Sequence, residues 1–273
     1  MRVVFMGTAE FACPSLAALD ESPGIEVVGV VTQPDRPKGR ELIPHPPAVK
    51  LEAELRNLPV HQPERLRNDI QYLEQIAPGL IIVAAYGQIL PQTILDLPPH
   101  GCLNVHGSLL PAYRGAAPIQ RAILDGQADT GVTIMQMDAG LDTGAMLSKA
   151  TTPIETSDNA QTLHDRLAKL GAQLLLKTIP GHVSGELTPE PQDDALATHA
   201  EKITREMGRI DWSQPATKLW NRARAFTPWP GVFTHLDGRL LKLHEVEPGE
   251  ADCPGPGVIG QAGADGILVG CGD

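Results

Sequence analysis

The sequence predicts an α/β protein built on a mostly parallel sheet, followed by a smaller β-rich module. Three observations carry that expectation. Short, continuous apolar runs recur through the first half of the chain, helix-like stretches lie between them, and the composition changes after residue 187. Strands that are apolar at every position are buried on both faces, which a parallel sheet covered by helices provides.

Val3 to Met6 is the first run, and it closes at Gly7-Thr8, a tight turn able to cap the next helix. Ile25 to Val31 is the second, closed by Thr32-Gln33-Pro34-Asp35. A helical stretch from Pro63 to Ile76 precedes the third run, Leu80 to Ala85, which ends at Tyr86-Gly87. Cys102 to His106 and Gly131 to Met137 are further strands. Ser157-Asp158 is suited to cap a helix whose Leu163, Leu167, Leu170 and Leu174 fall on one face. Residues 1–187 are therefore read as one domain. Thr188-Pro189-Glu190-Pro191 opens a polar, extended stretch, and 188–206 is read as a linker. Residues 207–273 hold Trp212, Trp220, Phe226, Trp229 and Phe233, with short apolar runs such as Leu240 to Leu243 between Gly and Pro turns. This is the pattern of a small β module.

The 273 residues include 27 Gly and 25 Pro, a turn-rich composition that still falls in the globular range. A formal charge of −11 argues against coating nucleic acid by bulk charge, though it leaves room for local patches. The charge is uneven. Glu245 to Asp273 holds six acidic residues and no Lys or Arg, whereas Lys202 to Arg224 holds six cations against Glu206 and Asp211. The four cysteines form no C-x-x-C pair, the nine histidines form no metal-ligand spacing, and no metal is expected. Only Gly7 stands where a dinucleotide fold carries G-x-G-x-x-G. No apolar segment approaches a secretory core or a membrane span, so a reduced, cytoplasmic protein without membrane contact is expected.

Two segments point to chemistry. Asn104 and His106 are two apart on a predicted strand and share one face, where a buried strand should be apolar. An amide and an imidazole together can donate to a developing oxyanion, and the imidazole can move a proton. By spacing alone, a satisfied half-buried histidine is an equal reading. In Thr130 to Gly144, glycines bracket Asp142, with Asp138 upstream. Such a loop can bring backbone close to a flat ligand and turn one carboxylate toward His106, which would hold the imidazole charged and oriented. Taken alone, Asp142 also reads as a turn-forming residue in an Asx-type loop.

At these residues the chain resembles the 10-formyltetrahydrofolate-dependent formyltransferase family. The matching blocks are V-V-F-M-G-T at Val3 to Thr8, V-V-T-Q-P-D-R-P at Val30 to Pro37, and V-A-A-Y-G-Q-I-L-P at Val83 to Pro91. N-V-H-G-S-L-L-P follows at Asn104 to Pro111, R-G-A-A-P-I-Q-R-A at Arg114 to Ala122, and the whole segment from Thr130 to Gly144. R-I-D-W at Arg209 to Trp212 and R-A-F-T-P-W-P-G at Arg224 to Gly231 extend the match into the second module. The resemblance implies a Rossmann-like catalytic domain and a small OB-like barrel. It implies Asn104, His106 and Asp142 as catalytic residues. Ser108, Leu109, Leu110 and Pro111 would meet the folate, together with Gln88, Ile89 and Leu90 and the loop carrying Asp138 and Gly140. The formyl donor would be 10-formyltetrahydrofolate, and the acceptor initiator methionyl-tRNA, reached by Arg36, Lys38 and above all Arg40. A monomer is expected.

Several positions depart from the family pattern. Gly39-Arg40 runs straight into Glu41-Leu42-Ile43, without the usual glycine and paired lysines. Ala112 stands where a basic residue is usual, and Thr227 where Asn is usual. The second module, ending at Asp273, is read as a shortened, incomplete barrel. The alternatives are a formyltransferase for a small amine or amino sugar, and a non-catalytic folate- or RNA-binding relative. The Gly-Leu-Asp-Thr-Gly block and the R-A-F-T-P-W-P-G block argue against the first, and retention of all three polar positions against the second.

Overall fold

A seven-stranded sheet organises the first part of the chain in the computed structural model, which describes residues 1–38, 43–249, 253, 255–264 and 266–273. Its strands are β1 (Arg2–Gly7), β2 (Glu26–Val31), β3 (Val60–His61), β4 (Leu80–Ala84), β5 (Cys102–His106), β6 (Asp129–Gln136) and β7 (Met146–Pro153). They lie in the order β7-β6-β5-β4-β1-β2-β3. β1 pairs in parallel with both β2 and β4, β2 with β3, and β4 with β5. β6 runs antiparallel to β5, with His106 opposite Thr133 and Asn104 opposite Met135. The five apolar runs are thus all strands. β3 and β7 escaped the pattern, β3 because it is two residues long and β7 because its outer half alternates between exposed and half-buried.

Helices α1 (Cys13–Asp20), α2 (Ala48–Leu55) and α3 (Ile70–Ile76) connect the parallel strands. Pro63 to Ile76 is not one helix: a short 3-10 turn at Leu66–Asn68 and an irregular Asp69 precede α3. Nor does Thr8 cap α1. Its hydroxyl donates to the Tyr86 carbonyl at 2.8 Å and so ties the turn after β1 to the turn after β4. Glycine at position 7 permits close packing, since a Cβ there would lie 2.8 Å from that of Ala12.

Two further helices are α4 (Pro118–Leu124) and α5 (Ala160–Ser184). The cap of α5 is Asn159, whose Oδ1 accepts from the amides of Gln161 and Thr162, rather than Ser157-Asp158. Asp158 braces the turn from the other side by accepting from the Thr162 hydroxyl. The buried line of α5 runs through Leu163, Leu167, Ala168, Ala172 and Leu175, while Leu170 and Leu174 are only half-buried. At 100° per residue the buried positions centre near Gly171 and Leu175, and the four leucines lie along one edge of that face.

The chain divides into two compact units. The first takes Met1–Arg114, Gly131–Thr152 and His164–His199. The second takes Gly115–Thr130, Pro153–Leu163 and Ala200–Asp273. Part of the stretch read as a linker is docked within the first unit: Glu190 exchanges backbone hydrogen bonds with Met146 at 2.8 Å. In the second unit, α6 (Ala216–Ala225) packs against α4. Two antiparallel hairpins follow, β8 (Val232–Leu236) with β9 (Arg239–Leu243), and β10 (Ile259–Gly263) with β11 (Gly266–Val269). Among the described residues these are separate two-stranded ribbons rather than a closed barrel. No helix among the described residues is long and apolar enough to cross a membrane.

Candidate active site

The strand β5 carries Asn104 and His106 on one face, and the loop between β6 and β7 brings Asp142 onto that face. Asn104 Nδ2 donates toward Asp142 Oδ1 at 3.4 Å. His106 Nδ1 lies 3.7 Å from Asp142 Oδ2, an ion-pair separation rather than a hydrogen bond. His106 is only 6% exposed and the Asp142 side chain 15%.

The other ring nitrogen settles the tautomer. His106 Nε2 lies 3.0 Å from the carbonyl oxygen of Tyr113. A carbonyl can only accept, so Nε2 carries a proton in either charge state. Proton exchange at this ring is therefore confined to Nδ1, the nitrogen that faces Asp142. Tyr113 is set by its own left-handed backbone, at φ 61°, and by donation of its amide to the Thr198 hydroxyl at 2.9 Å.

The loop that presents Asp142 is fastened from within. Asp138 Oδ1 accepts from the Gly140 amide at 3.0 Å and from the Thr143 hydroxyl at 2.7 Å. Asp142 itself sits at φ 54°, a left-handed conformation uncommon for a residue with a Cβ. At Gly144 a Cβ would fall 1.8 Å from the Gln136 carbonyl oxygen, so only glycine lets the loop close onto β6.

The expected folate-contacting residues divide into two groups. Ser108 is fully buried, and its hydroxyl donates to the Ala112 carbonyl at 2.6 Å. Leu110 is 1% exposed, packs with Met135 and Met146, and donates its amide to Thr133 Oγ1. Thr133 in turn donates to the Ser108 carbonyl at 2.7 Å. Leu90 is a core residue, and Gln88 accepts the Leu66 amide at 3.1 Å. These side chains build the turns. Leu109 and Pro111 are half-buried, Gly140 and Asp138 are exposed, and Ile89 is 85% exposed. Leu141, beside Asp142, is another exposed apolar side chain. The exposed side chains at Ile89 and Leu141 are thus apolar, while the polar side chains of Gln88, Ser108 and Asp138 hold the loops.

The expected tRNA arm lies partly outside the described residues, Arg40 among them. Arg36 and Lys38 are on a short strand, Arg36–Lys38, paired antiparallel with Ile43–His45. Arg36 is exposed and forms an ion pair with Glu64 at 3.3 Å. Lys50, the next cation along the chain after the arm, is bonded at 3.0 Å to Asp35, so the two cancel at its root. Among the described residues no three His, Cys, Asp or Glu side chains are grouped to hold a metal ion.

Sequence reasoning did not reach Arg114 and Gln192. Arg114 Nε donates to Gln192 Oε1 at 2.9 Å, and the Gln192 amide donates to the carbonyls of Asp142 and Gly144. A basic residue opening R-G-A-A-P-I-Q-R-A was a signal of sorts, while Gln192 stood unmarked in a polar stretch.

The model of the Formyl transferase family matches residues 1–179, and that of the Formyl transferase C-terminal domain matches residues 202–273. The chain is 52% identical over 274 residues to the methionyl-tRNA formyltransferase of Citrifermentans bemidjiense, covering all of this chain and 86% of the relative. It is 51% identical over 277 residues to that of Pseudomonas putida, covering all of this chain and 88% of the relative. Among solved structures, a Helicobacter canadensis N-formyltransferase in complex with folinic acid and dTDP-3-aminofucose superposes with a TM-score of 0.72. That match is 16% identical and covers 98% of this chain and 95% of the other. HypX from Aquifex aeolicus, in complex with tetrahydrofolic acid, superposes at 0.67 with 19% identity, over all of this chain and 42% of the other. At such identities these two structures speak to the fold alone.

Proposed function

The chain belongs to the formyltransferase family and transfers a formyl group from 10-formyltetrahydrofolate to the amino group of methionine on methionyl-tRNA; we propose that Asn104, His106 and Asp142 carry that reaction. The observation that supports these roles is the approach of one carboxylate, Asp142, to both the amide and the imidazole.

Bound beside the trio, the folate supplies a formyl carbonyl that the methionine amine attacks, so negative charge develops on the formyl oxygen. Asn104 is the neutral donor to that oxygen, its Nδ2 held only loosely by Asp142 at 3.4 Å. His106 handles the proton at Nδ1, because Nε2 is committed to the Tyr113 carbonyl. Asp142 steadies the charged imidazole and draws the proton lost by the amine toward the nitrogen that leaves. The proton balance closes, since the amine gives up one proton and the folate nitrogen gains one. The donor set fits acyl transfer, in which an amide donor and an acid–base pair are sufficient.

The finer assignments are part of the same proposal. The acceptor is the initiator tRNA, met by Arg36, Lys38 and Arg40. The catalytic domain is 1–187, with 188–206 joining it to 207–273. The protein works as a monomer in the cytoplasm. The reading as a sugar N-formyltransferase has support only from fold likeness, whereas identity near one half over the whole chain favours the tRNA substrate.

The test is formylation of charged initiator tRNA against an amino sugar nucleotide. Transfer to the tRNA is expected. His106→Ala and Asp142→Asn should lower kcat by about a hundredfold or more with little change in folate affinity. Near-normal turnover in both variants would remove the trio from the mechanism, and preferential transfer to the sugar would reassign the acceptor.

A further inference from the structure

Arg114 is a buried cation that no step of the reaction touches. It is 5% exposed, and its Nη2 donates to Asp194 Oδ1 at 2.8 Å. Its Nε donates to Gln192 Oε1 at 2.9 Å. That bond fixes which end of the Gln192 amide faces which way. The oxygen is committed to an N–H donor, so the NH2 must face the opposite side. There it donates to two backbone carbonyls, of Asp142 at 2.8 Å and of Gly144 at 2.7 Å.

Those two carbonyls flank the part of the loop that needs holding. Asp142 adopts φ 54°, which a residue with a Cβ keeps only where its surroundings over-determine it. On the other side the loop is already against β6, where Gly144 leaves no room for a Cβ beside the Gln136 carbonyl. The loop is thus gripped between the sheet and one side-chain amide, and the Asp142 carboxylate projects from the gripped residue.

We propose that Gln192, oriented by Arg114, is a positioning residue for the reaction: it holds the backbone at Asp142 and Gly144 so that the carboxylate faces His106 Nδ1 and Asn104 Nδ2. The inference rests on the reading that Asp142 acts through His106. Neither Gln192 nor Arg114 contacts the reacting atoms. Their effect passes through the placement of Asp142, and a misplacement of about 1 Å near a reacting centre costs on the order of a hundredfold in rate.

The experiment is a double-mutant cycle on the full chain, read as kcat and KM for formylation of charged tRNA. Gln192→Glu preserves length and the acceptor for Arg114, but sets a carboxylate oxygen against two carbonyls. It should lower kcat by about ten- to a hundredfold with KM for tRNA unchanged. In an Asp142→Asn background the same substitution should cost no more than about twofold, because the group it places is already gone. Arg114→Lys keeps a cation for Asp194 and loses the Nε donor, and should show a smaller loss with the same coupling. Equal fold-losses in the two backgrounds would mean a purely structural role and overturn the proposal. Wild-type kcat in Gln192→Glu beside an inactive Asp142→Asn would also overturn it, leaving the trio intact. Full activity of Asp142→Asn would remove the trio itself and the positioning role with it. If Gln192→Glu does not fold, Gln192→Met, uncharged and without a donor, takes its place with the same expectations.

Discussion

Two strands of similar length show how differently the two units treat their residues. β4, L-I-I-V-A, is buried at all five positions, whereas β10, I-G-Q-A-G, is exposed at all five. β9, R-L-L-K-L, carries three leucines and is exposed at four positions of five. Apolar content alone therefore does not decide burial. A neighbour on each edge and a layer on each face do, and β4 has parallel partners in β1 and β5 where β10 has one antiparallel partner. The lesson bears on chemistry. A polar side chain on a strand inside the sheet, such as His106, is held by surroundings that cannot yield, because close-packed interiors transmit rather than absorb displacement. The same residue on a hairpin would keep its rotamer freedom.

The contrast can be broken most directly by truncation. Ile82→Ala, in fully buried β4, should lower stability by about 3 kcal/mol, whereas Leu240→Ala, on half-exposed β9, should stay within about 0.5 kcal/mol. Urea unfolding followed by fluorescence and circular dichroism measures both. Comparable losses would mean that the hairpins are as firmly packed as the sheet.

A smaller effect sharpens the comparison from within the second unit, where one cation makes the contacts the hairpins lack. Arg224 stacks 4.0 Å from the Trp220 ring and donates to the carbonyls of Glu155, Thr156 and Asp158 at 2.9 to 3.2 Å. Arg224→Ala should cost about 2 kcal/mol, and Arg224→Lys most of it, because a single ammonium cannot stack and reach three carbonyls together. An unchanged midpoint in both would count against this cation as an organiser of the unit.

The smallest effect lies at the root of the arm and is read from the acid limb of stability. Gln62 Nε2, at 2.7 Å, and Lys50 Nζ, at 3.0 Å, bond the ionised Asp35 and hold its carboxyl below the usual carboxylate range. A group whose folded value is depressed contributes stability that is complete above the unfolded value and is lost as pH falls through the folded one. Melting temperature should therefore decline below the ordinary carboxylate range in the native protein, and less steeply in Asp35→Asn. Parallel acid limbs would assign the decline to other carboxylates.

Much of the sheet was legible because its strands are apolar at successive positions, a pattern that survives without knowledge of neighbours. Asn104 and His106 were legible for the opposite reason, as polar interruptions two apart in such a run. The limits were set by contacts across the chain. Asp69 interrupts a periodic stretch through its backbone, which leaves no mark on hydrophobic spacing. Asn159 rather than Asp158 caps α5, since adjacent capping types compete and geometry chooses. Gln192 was invisible: a glutamine in a polar, proline-rich stretch looks like solvated tether, and its role exists only once Arg114 and the Asp142 loop are beside it.

That last contact has a consequence for the order of events during synthesis. Asn104, His106 and Asp142 leave the ribosome well before Gln192, which follows Asp142 by 50 residues. Strands β1 to β6 can pair in that interval, so the nascent chain holds a sheet and all three side chains of the proposed trio before it holds the amide that we propose aims one of them. Chain elongation at about 5–20 residues per second makes the interval a few seconds. On the proposed role of Gln192, pairing of the first strands and alignment of Asp142 are separate moments in the synthesis of this chain.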